Sequence, residues 1–312
     1  GRRQEGADRL FGHTVKAGAM YRIHRTSSLL GAIAVCVTLV SCGETPPAGI
    51  KFGSYQAGYA SKPDLARVEH EFPLARNDLA QLTPGALKSY DQEQIDQIYA
   101  RLTAGPIPDG AFDGDLFFPK GISGDRRIRE IIGGLSGLAA GVGTAKTELV
   151  GKHLWRGKVF YRDELVLRNR IDDTSLLKPL IDGDLSTIPK VKVNGKDQWL
   201  MFPARLYCGQ SLLDSRRESI IIDYFYTDEI PGYRERPDFL AGRRGLQVRD
   251  EIRMVRPGFY LGRAYIGKIF LLNFTLYNKE IADRDGGAFT KGGQVNEDCW
   301  PGTQQRTVTA SK

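Results

Sequence analysis

Histidine and cysteine are scarce in this chain. Four of each occur in 312 residues, and beyond residue 41 the only imidazoles are His70 and His153. There is no Cys-x-x-Cys and no Cys/His cluster, which argues against a zinc site. Haem is weakly supported, because tyrosine is the only other axial candidate. No cofactor is expected. Long basic runs are also missing. The net charge of +7 falls to +3 once residues 1–41, with six Lys/Arg and two acids, are set aside. A nucleic-acid surface is therefore not indicated. The apolar run at 29–40 is 12 residues, short of the ~20 that cross a bilayer. A nucleophile elbow is missing too: in Gly134-Leu135-Ser136-Gly137-Leu138, Leu138 stands where the last glycine belongs. Ser, His and Asp occur without a spacing that links them. Pairs such as Asp172-Asp173 and Asp250-Glu251 would point to opposite faces of a strand.

What is present is a leader. Arg22 and Arg25 precede the apolar run, and Leu39-Val40-Ser41-Cys42 closes it. A basic start, a short apolar core and small residues before a cut describe a secretory signal. The Leu-Val-Ser-Cys ending resembles the lipobox of bacterial lipoproteins. That resemblance implies acylation of Cys42, with palmitate among the attached chains, as the first mature residue. A cleaved signal without lipid and a buried helix are the other readings. The signal would span 20–41 and begin at Met20, so residues 1–19 are expected to be a mis-assigned start or an expression remnant. Residues 42–63, rich in Gly, Pro and Ala, read as the lipidated tether. Gly43 after the cysteine resembles the outer-membrane sorting pattern of some Gram-negative lipoproteins. The expected location is the bacterial cell envelope, facing the periplasm, on the outer rather than the inner membrane.

The 271 residues that would remain are enough for one large domain or two modest ones. Cys208 and Cys299 are an even pair in an oxidising compartment, so a disulfide is possible and two free thiols are the alternative. Residues 64–150 read as a helical segment. Asp91-Gln92-Glu93 precedes Ile95, Ile98, Tyr99 and Leu102, one apolar helix face with acids in its first turn, and Gly105-Pro106 ends it. Turn chemistry surrounds Phe112 and Leu116-Phe117-Phe118. Over 126–150, Gly133, Gly137, Gly141 and Ala145 fall four apart on a helical period. A close-packed core helix is favoured there over a membrane-dipping or lid helix.

From 151 the period changes to two. Strands are expected over 158–171, 190–193, 198–207, 219–226, 246–255, 259–266 and 268–278, with Asn194-Gly195 a strong hairpin signal. Consecutive strands and tight turns mean antiparallel pairing. Six or more would close or curve to hide their edges. The fold class is thus α+β: an N-terminal helical segment, then an antiparallel β-barrel or strongly curved sheet over 151–278, then an irregular tail over 279–312. Trp155-Arg156-Gly157-Lys158-Val159-Phe160, opening the strands, loosely resembles the lipocalin-like, or calycin, barrels over 151–278. The chain departs from that group in its leading helical segment and in lacking a clear Gly-x-Trp at the first strand. The resemblance implies a barrel but names no ligand.

Polar residues that interrupt apolar strand parities mark the candidate site. Asp250 interrupts Leu246, Val248, Ile252 and Met254; Arg263 interrupts Phe259, Leu261 and Tyr265; Asn273 follows Ile269 and Leu271; Asp223 lies between Ile221 and Phe225. A charge on an apolar face is expensive unless paired. Asp223, Asp250, Arg263 and Asn273 are therefore the expected ligand-binding residues, with Arg263 the cation for Asp250; a structural ion pair and a solvent-facing position are the competing readings. The expected function is a membrane-anchored envelope protein that binds a small apolar or amphipathic ligand in its barrel. An enzyme on the same scaffold, acting on a lipid or polyketide-like substrate with Asp250 or Asp223 as base, and a docking module of the envelope are the alternatives. No metal and no nucleic-acid partner is expected.

Cys42→Ser is expected to abolish lipid attachment and leave the domain folded, since the tether composition suits few contacts. Metabolic labelling with palmitate checks this. An unaltered protein that takes up no label rules out lipidation at Cys42.

Overall fold

The computed structural model describes residues 47, 49–54, 64–118, 155–172, 174, 181 and 183–302, all within one compact unit, 43–312. The expected signal, Cys42, most of the tether, the glycine-striped segment 126–150 and His153 lie outside the described residues. Nine strands form one antiparallel sheet: β1 (Gly110–Phe117), β2 (Trp155–Tyr161), β3 (Val166–Ile171), β4 (Lys190–Val193), β5 (Lys196–Gln210), β6 (Glu218–Asp223), β7 (Val248–Arg256), β8 (Phe259–Ile266) and β9 (Ile269–Tyr277). The order β3-β2-β1-β9-β8-β7-β6-β5, with β5 also pairing β3, closes an eight-stranded barrel. β4 stays outside the ring as a hairpin on β5, turned by Asn194 and Gly195, both at positive φ.

Helices α1 (Leu65–Glu71), α2 (Arg76–Gln81), α3 (Pro84–Leu87) and α4 (Gln92–Arg101) precede the barrel. α4 starts where its sequence says: Asp91 caps it in a reciprocal box with Gln94. Its apolar stripe, Ile95, Ile98 and Tyr99, with Leu102 just beyond, packs on Val255, Phe259 and Leu261 of β7 and β8. Each such fully buried side chain contributes roughly 1.5–3 kcal/mol relative to exposure. These strands are covered on both faces, because Ile252, Met254, Tyr260 and Ala264 fill the barrel interior beneath them. That is why seven of the eight residues of β8 are buried, a run with little alternation of burial.

Three expectations change. β1 lies inside the segment read as helical and pairs β2 and β9, so the barrel begins at residue 110 and not at 151. Its Gly and Asp residues masked the strand signal, and Gly114 is needed there because a Cβ would meet the Trp155 ring at 2.3 Å. The single strand expected over 158–171 is a hairpin, β2 and β3, joined by a turn with Leu165 at φ 51. Alternation read through that turn assigns one of its strands to the wrong face. Finally, the tail expected to be irregular begins with a helix, α5 (Lys279–Thr290), capped by Asn278. Two glycines weaken it locally. Tertiary contacts hold it: Phe289 is buried, and Arg76 donates to the carbonyls of Phe289 and Gly293 at 3.2 and 2.6 Å.

After α5 the chain runs to the end of the barrel where Met254 and Tyr260 lie. Glu297 accepts from Gly105 N–H at 2.8 Å and Asp298 from Ile107 N–H at 2.7 Å. Cys299 is buried in the interior cluster and bonded to Cys208 of β5, 91 residues earlier. A loop of that length makes the bridge worth about 4 kcal/mol in the entropy model. Replacing both cysteines with serine is expected to lower the unfolding free energy by about that amount, read from urea midpoints. A chain beginning after Cys42 should titrate no thiol until it is reduced; two titratable thiols in the unfolded, unreduced protein would contradict the bridge.

Candidate functional site

Towards the end sealed by Cys299 the interior is occupied by packed side chains, Phe112, Met254 and Tyr260 among them, which also border an outer pocket of about 400 Å³ against α5 and the tail. At the other it opens into a cavity of about 340 Å³. Its walls are almost wholly apolar, with Trp155, Ile171, Phe202, Leu246, Leu272 and Phe274 among them. The polar side chains that reach it are Lys158, Asn169, Tyr224 and Asp250, one each from β2, β3, the end of β6 and β7, and all four are buried. They form one network. Lys158 Nζ donates to Tyr224 Oη at 2.6 Å, to Asn169 Oδ1 at 2.9 Å and to Asp250 Oδ2 at 3.0 Å. Asn169 Nδ2 donates to Tyr224 Oη at 2.9 Å and to the Phe202 carbonyl at 3.0 Å; Trp155 Nε1 donates to Asn169 Oδ1 at 2.9 Å. The ammonium also lies 5.3–5.5 Å from the ring centres of Tyr224, Trp155 and Phe274, which attract a cation.

Local geometry explains how these groups meet. Trp155 and Lys158 are three residues apart, yet both face inward, because the β2–β3 register shifts between Trp155 and Gly157. Gly157 sits at φ +131, where an added Cβ would lie 2.0 Å from the Phe112 carbonyl oxygen; such a bulge re-aims side chains next to it. A second register shift opposes β3 between Leu167 and Asn169, and there Phe202 adopts φ 52. A bulky residue at positive φ is a true outlier. It is held from both sides: its N–H donates to buried Asp238 at 2.7 Å and its carbonyl accepts from Asn169.

Charge in this setting is expensive, and its partners are needed to keep it. Burial works against the Lys158 ammonium, but Tyr224 and Asp250 together outweigh it, so the group holds its proton beyond the ordinary lysine range. Burial raises the Asp250 carboxyl, with Lys158 opposing. The Tyr224 phenol is raised by burial as well, again against Lys158. The geometry is that of an ammonium–carboxylate pair, Lys158 Nζ to Asp250 Oδ2 at 3.0 Å, with the Tyr224 phenol bonded to the same ammonium.

Of the four residues expected to bind ligand, only Asp250 reaches this cavity, and its cation is Lys158, not Arg263. In the β7–β8 register Asp250 stands opposite Ala264, and Arg263 opposite Glu251 on the outer face. There Arg263 pairs with Asp96 of α4 and donates to Tyr265 Oη at 2.9 Å. Asn273 is on the same outer face, donating to Gln92 Oε1 at 2.7 Å, and Gln92 donates to Asp96 at 2.6 Å. These residues bind the helical layer to the barrel. Asp223 points outward at the end of β6 and accepts from Tyr207 Oη and Phe225 N–H, both at 2.8 Å. Burial and Asp223 push the Tyr207 phenol up to about 12. The parity argument fails for Arg263 and Asn273 because α4 buries the outer face too, so an apolar parity does not name the side it faces. Lys158, Asn169 and Tyr224 were missed. Their signal was polar residues sharing a parity with Phe160, with Leu167 and Ile171, and with Ile220 and Ile222.

A larger groove of about 840 Å³ runs between α1, α2 and the tail, with Arg76, Arg101, Arg216 and Arg217 along it. Those guanidinium groups are committed to Glu69 or to backbone carbonyls. The one grouping of three metal-ligand side chains among the described residues, Cys208, Glu218 and Cys299, has its two sulfurs bonded to each other. Also among these residues, no helix is long and apolar enough to cross a membrane.

No family model and no curated protein matches the chain. A crystal structure of a protein from Thermomonospora curvata is similar at a TM-score of 0.31 and 16% identity, over 61% of this chain and 88% of that one. A likeness that distant carries no argument about this site.

Lys158→Met leaves the Asp250 carboxylate buried without its cation, at an expected cost of about 3–5 kcal/mol. Lys158→Met with Asp250→Leu removes both charges and should recover most of that loss, as read from urea unfolding. A double variant no more stable than the single would show that the two groups do not act as a pair.

Proposed function

We propose that this is a lipid-anchored envelope protein that holds a small apolar or amphipathic molecule in the open end of its barrel, over Lys158 and Asp250. The observation that carries the reading is the cavity itself: about 340 Å³ of apolar wall ending on one satisfied polar cluster. Small-molecule sites have that composition, and the volume is at the lower end of their range. Structural economy alone does not account for it, since a filled interior would bury more apolar surface at no desolvation cost. The anchor rests on the lipobox resemblance around Cys42, which would put the barrel beside a bilayer, a ready source of apolar cargo.

Binding is better supported than catalysis. Lys158 is held protonated, which makes it a poor nucleophile. Asp250 is committed to that ammonium, and Asp223, the other candidate base, lies outside the barrel. Protein purified from its host should carry a small molecule visible as added mass by native mass spectrometry, and the emptied protein should bind the apolar dye N-phenyl-1-naphthylamine. Ala264→Trp, which fills the cavity from β8, is expected to abolish both without unfolding the barrel. No added mass together with no dye binding in the unaltered protein would overturn the reading.

A further inference from the structure

We infer that the ligand is neutral and presents a hydrogen-bond donor, an alcohol or an amide N–H, to Asp250, and is not a carboxylate such as a fatty acid. This rests on the cavity being a binding site, and follows from counting the polar atoms at its base. An ammonium has three N–H groups, and those of Lys158 go to Tyr224, Asn169 and Asp250. Both N–H groups of Asn169 and the indole N–H of Trp155 are also spent within the network. Tyr224 Oη accepts twice, and its hydroxyl lies 3.5 Å from Asp250 Oδ2, a long contact that leaves this neutral O–H only loosely engaged. The described residues therefore leave no charged donor for an incoming anion, only the neutral Tyr224 hydroxyl, although a lysine forms the floor.

One acceptor remains. Asp250 engages the described residues only through Oδ2, lines the cavity and keeps 7% side-chain exposure. Its Oδ1 is thus the atom available to cargo, and it accepts only. Charge points the same way. Lys158 and Asp250 cancel, so a carboxylate would enter a low-dielectric site as an uncompensated anion beside another. An alkylammonium would add an uncompensated cation close to the Lys158 ammonium. A neutral donor meets the open oxygen without either penalty, and the apolar walls take its hydrocarbon part.

Competition against bound N-phenyl-1-naphthylamine tests this on the unaltered protein, with octan-1-ol, its methyl ether, octanoate and octylammonium as probes. The ether keeps the oxygen as an acceptor but cannot donate. The alcohol is expected to bind about tenfold or more tighter than each of the other three, the gain of one hydrogen bond to a charged acceptor. Asp250→Asn is nearly isosteric. Lys158 needs an acceptor, so the carboxamide oxygen should face it and the N–H2 should face the cavity. The advantage of alcohol over ether should then fall to about twofold or less, and octanoate should gain. Failure of the dye to bind at all would remove the binding reading and this inference together. Dye bound but displaced equally by alcohol and ether, or best by octanoate or octylammonium, would leave binding standing and overturn the ligand class. An alcohol preference unchanged in Asp250→Asn would likewise overturn it.

Discussion

Closure of the sheet through β5 is the constraint on which the rest of this molecule depends. That strand runs fifteen residues and pairs with β4, β3 and β6 in turn. Its bend at Phe202 turns an eight-stranded ribbon into a ring. An open sheet of this composition would leave β3 and β5 as free edges and would expose the interior parities of every strand. Closure instead gives each of the eight ring strands a neighbour on both sides within the ring and defines a single inside. It also brings the strands carrying Lys158 and Asp250, 92 residues apart in sequence, within hydrogen-bond distance across the interior.

Buried charge lies on both sides of the barrel wall, with different consequences. Outside the ring, Arg263 with Asp96, and Arg253 with Ser219 Oγ and the carbonyls of Tyr99 and Ala100, join the barrel to α4. Those groups fill an interface between two packed layers, where removal of either partner would strand the other. Inside the ring, Lys158 and Asp250 border empty volume. Several side chains and one strained backbone position, Phe202, are organised around them. A cluster that is internally satisfied can still carry specificity, because the one atom it leaves open determines which polar group can be accommodated.

Much of the framework was legible in the sequence. The Asp91–Gln94 capping box was not anticipated, but the helix after Asp91, its stripe from Ile95 to Leu102, the Asn194-Gly195 hairpin and the strands over 190–193 and 259–266 follow from local rules and appear as expected. So does the inward parity of Val248, Asp250, Ile252 and Met254. β1 and α5 were not legible, because their glycines and short polar side chains carry little propensity and their order comes from neighbours distant in sequence.

Sequence by itself determined where charge had to be compensated: a period-2 apolar strand interrupted by Asp250 requires a cation, because an isolated carboxylate is not tolerated there. Only the tertiary structure decided which cation. Alternation specifies that residues share a face, but it does not say whether that face looks into a barrel or under a helix. It is also reset by every bulge and turn. Arg263 had the right charge on a neighbouring strand and the wrong face, whereas Lys158 reached Asp250 through a bulge at Gly157 and the closure of the ring. Neither is a local property of the chain.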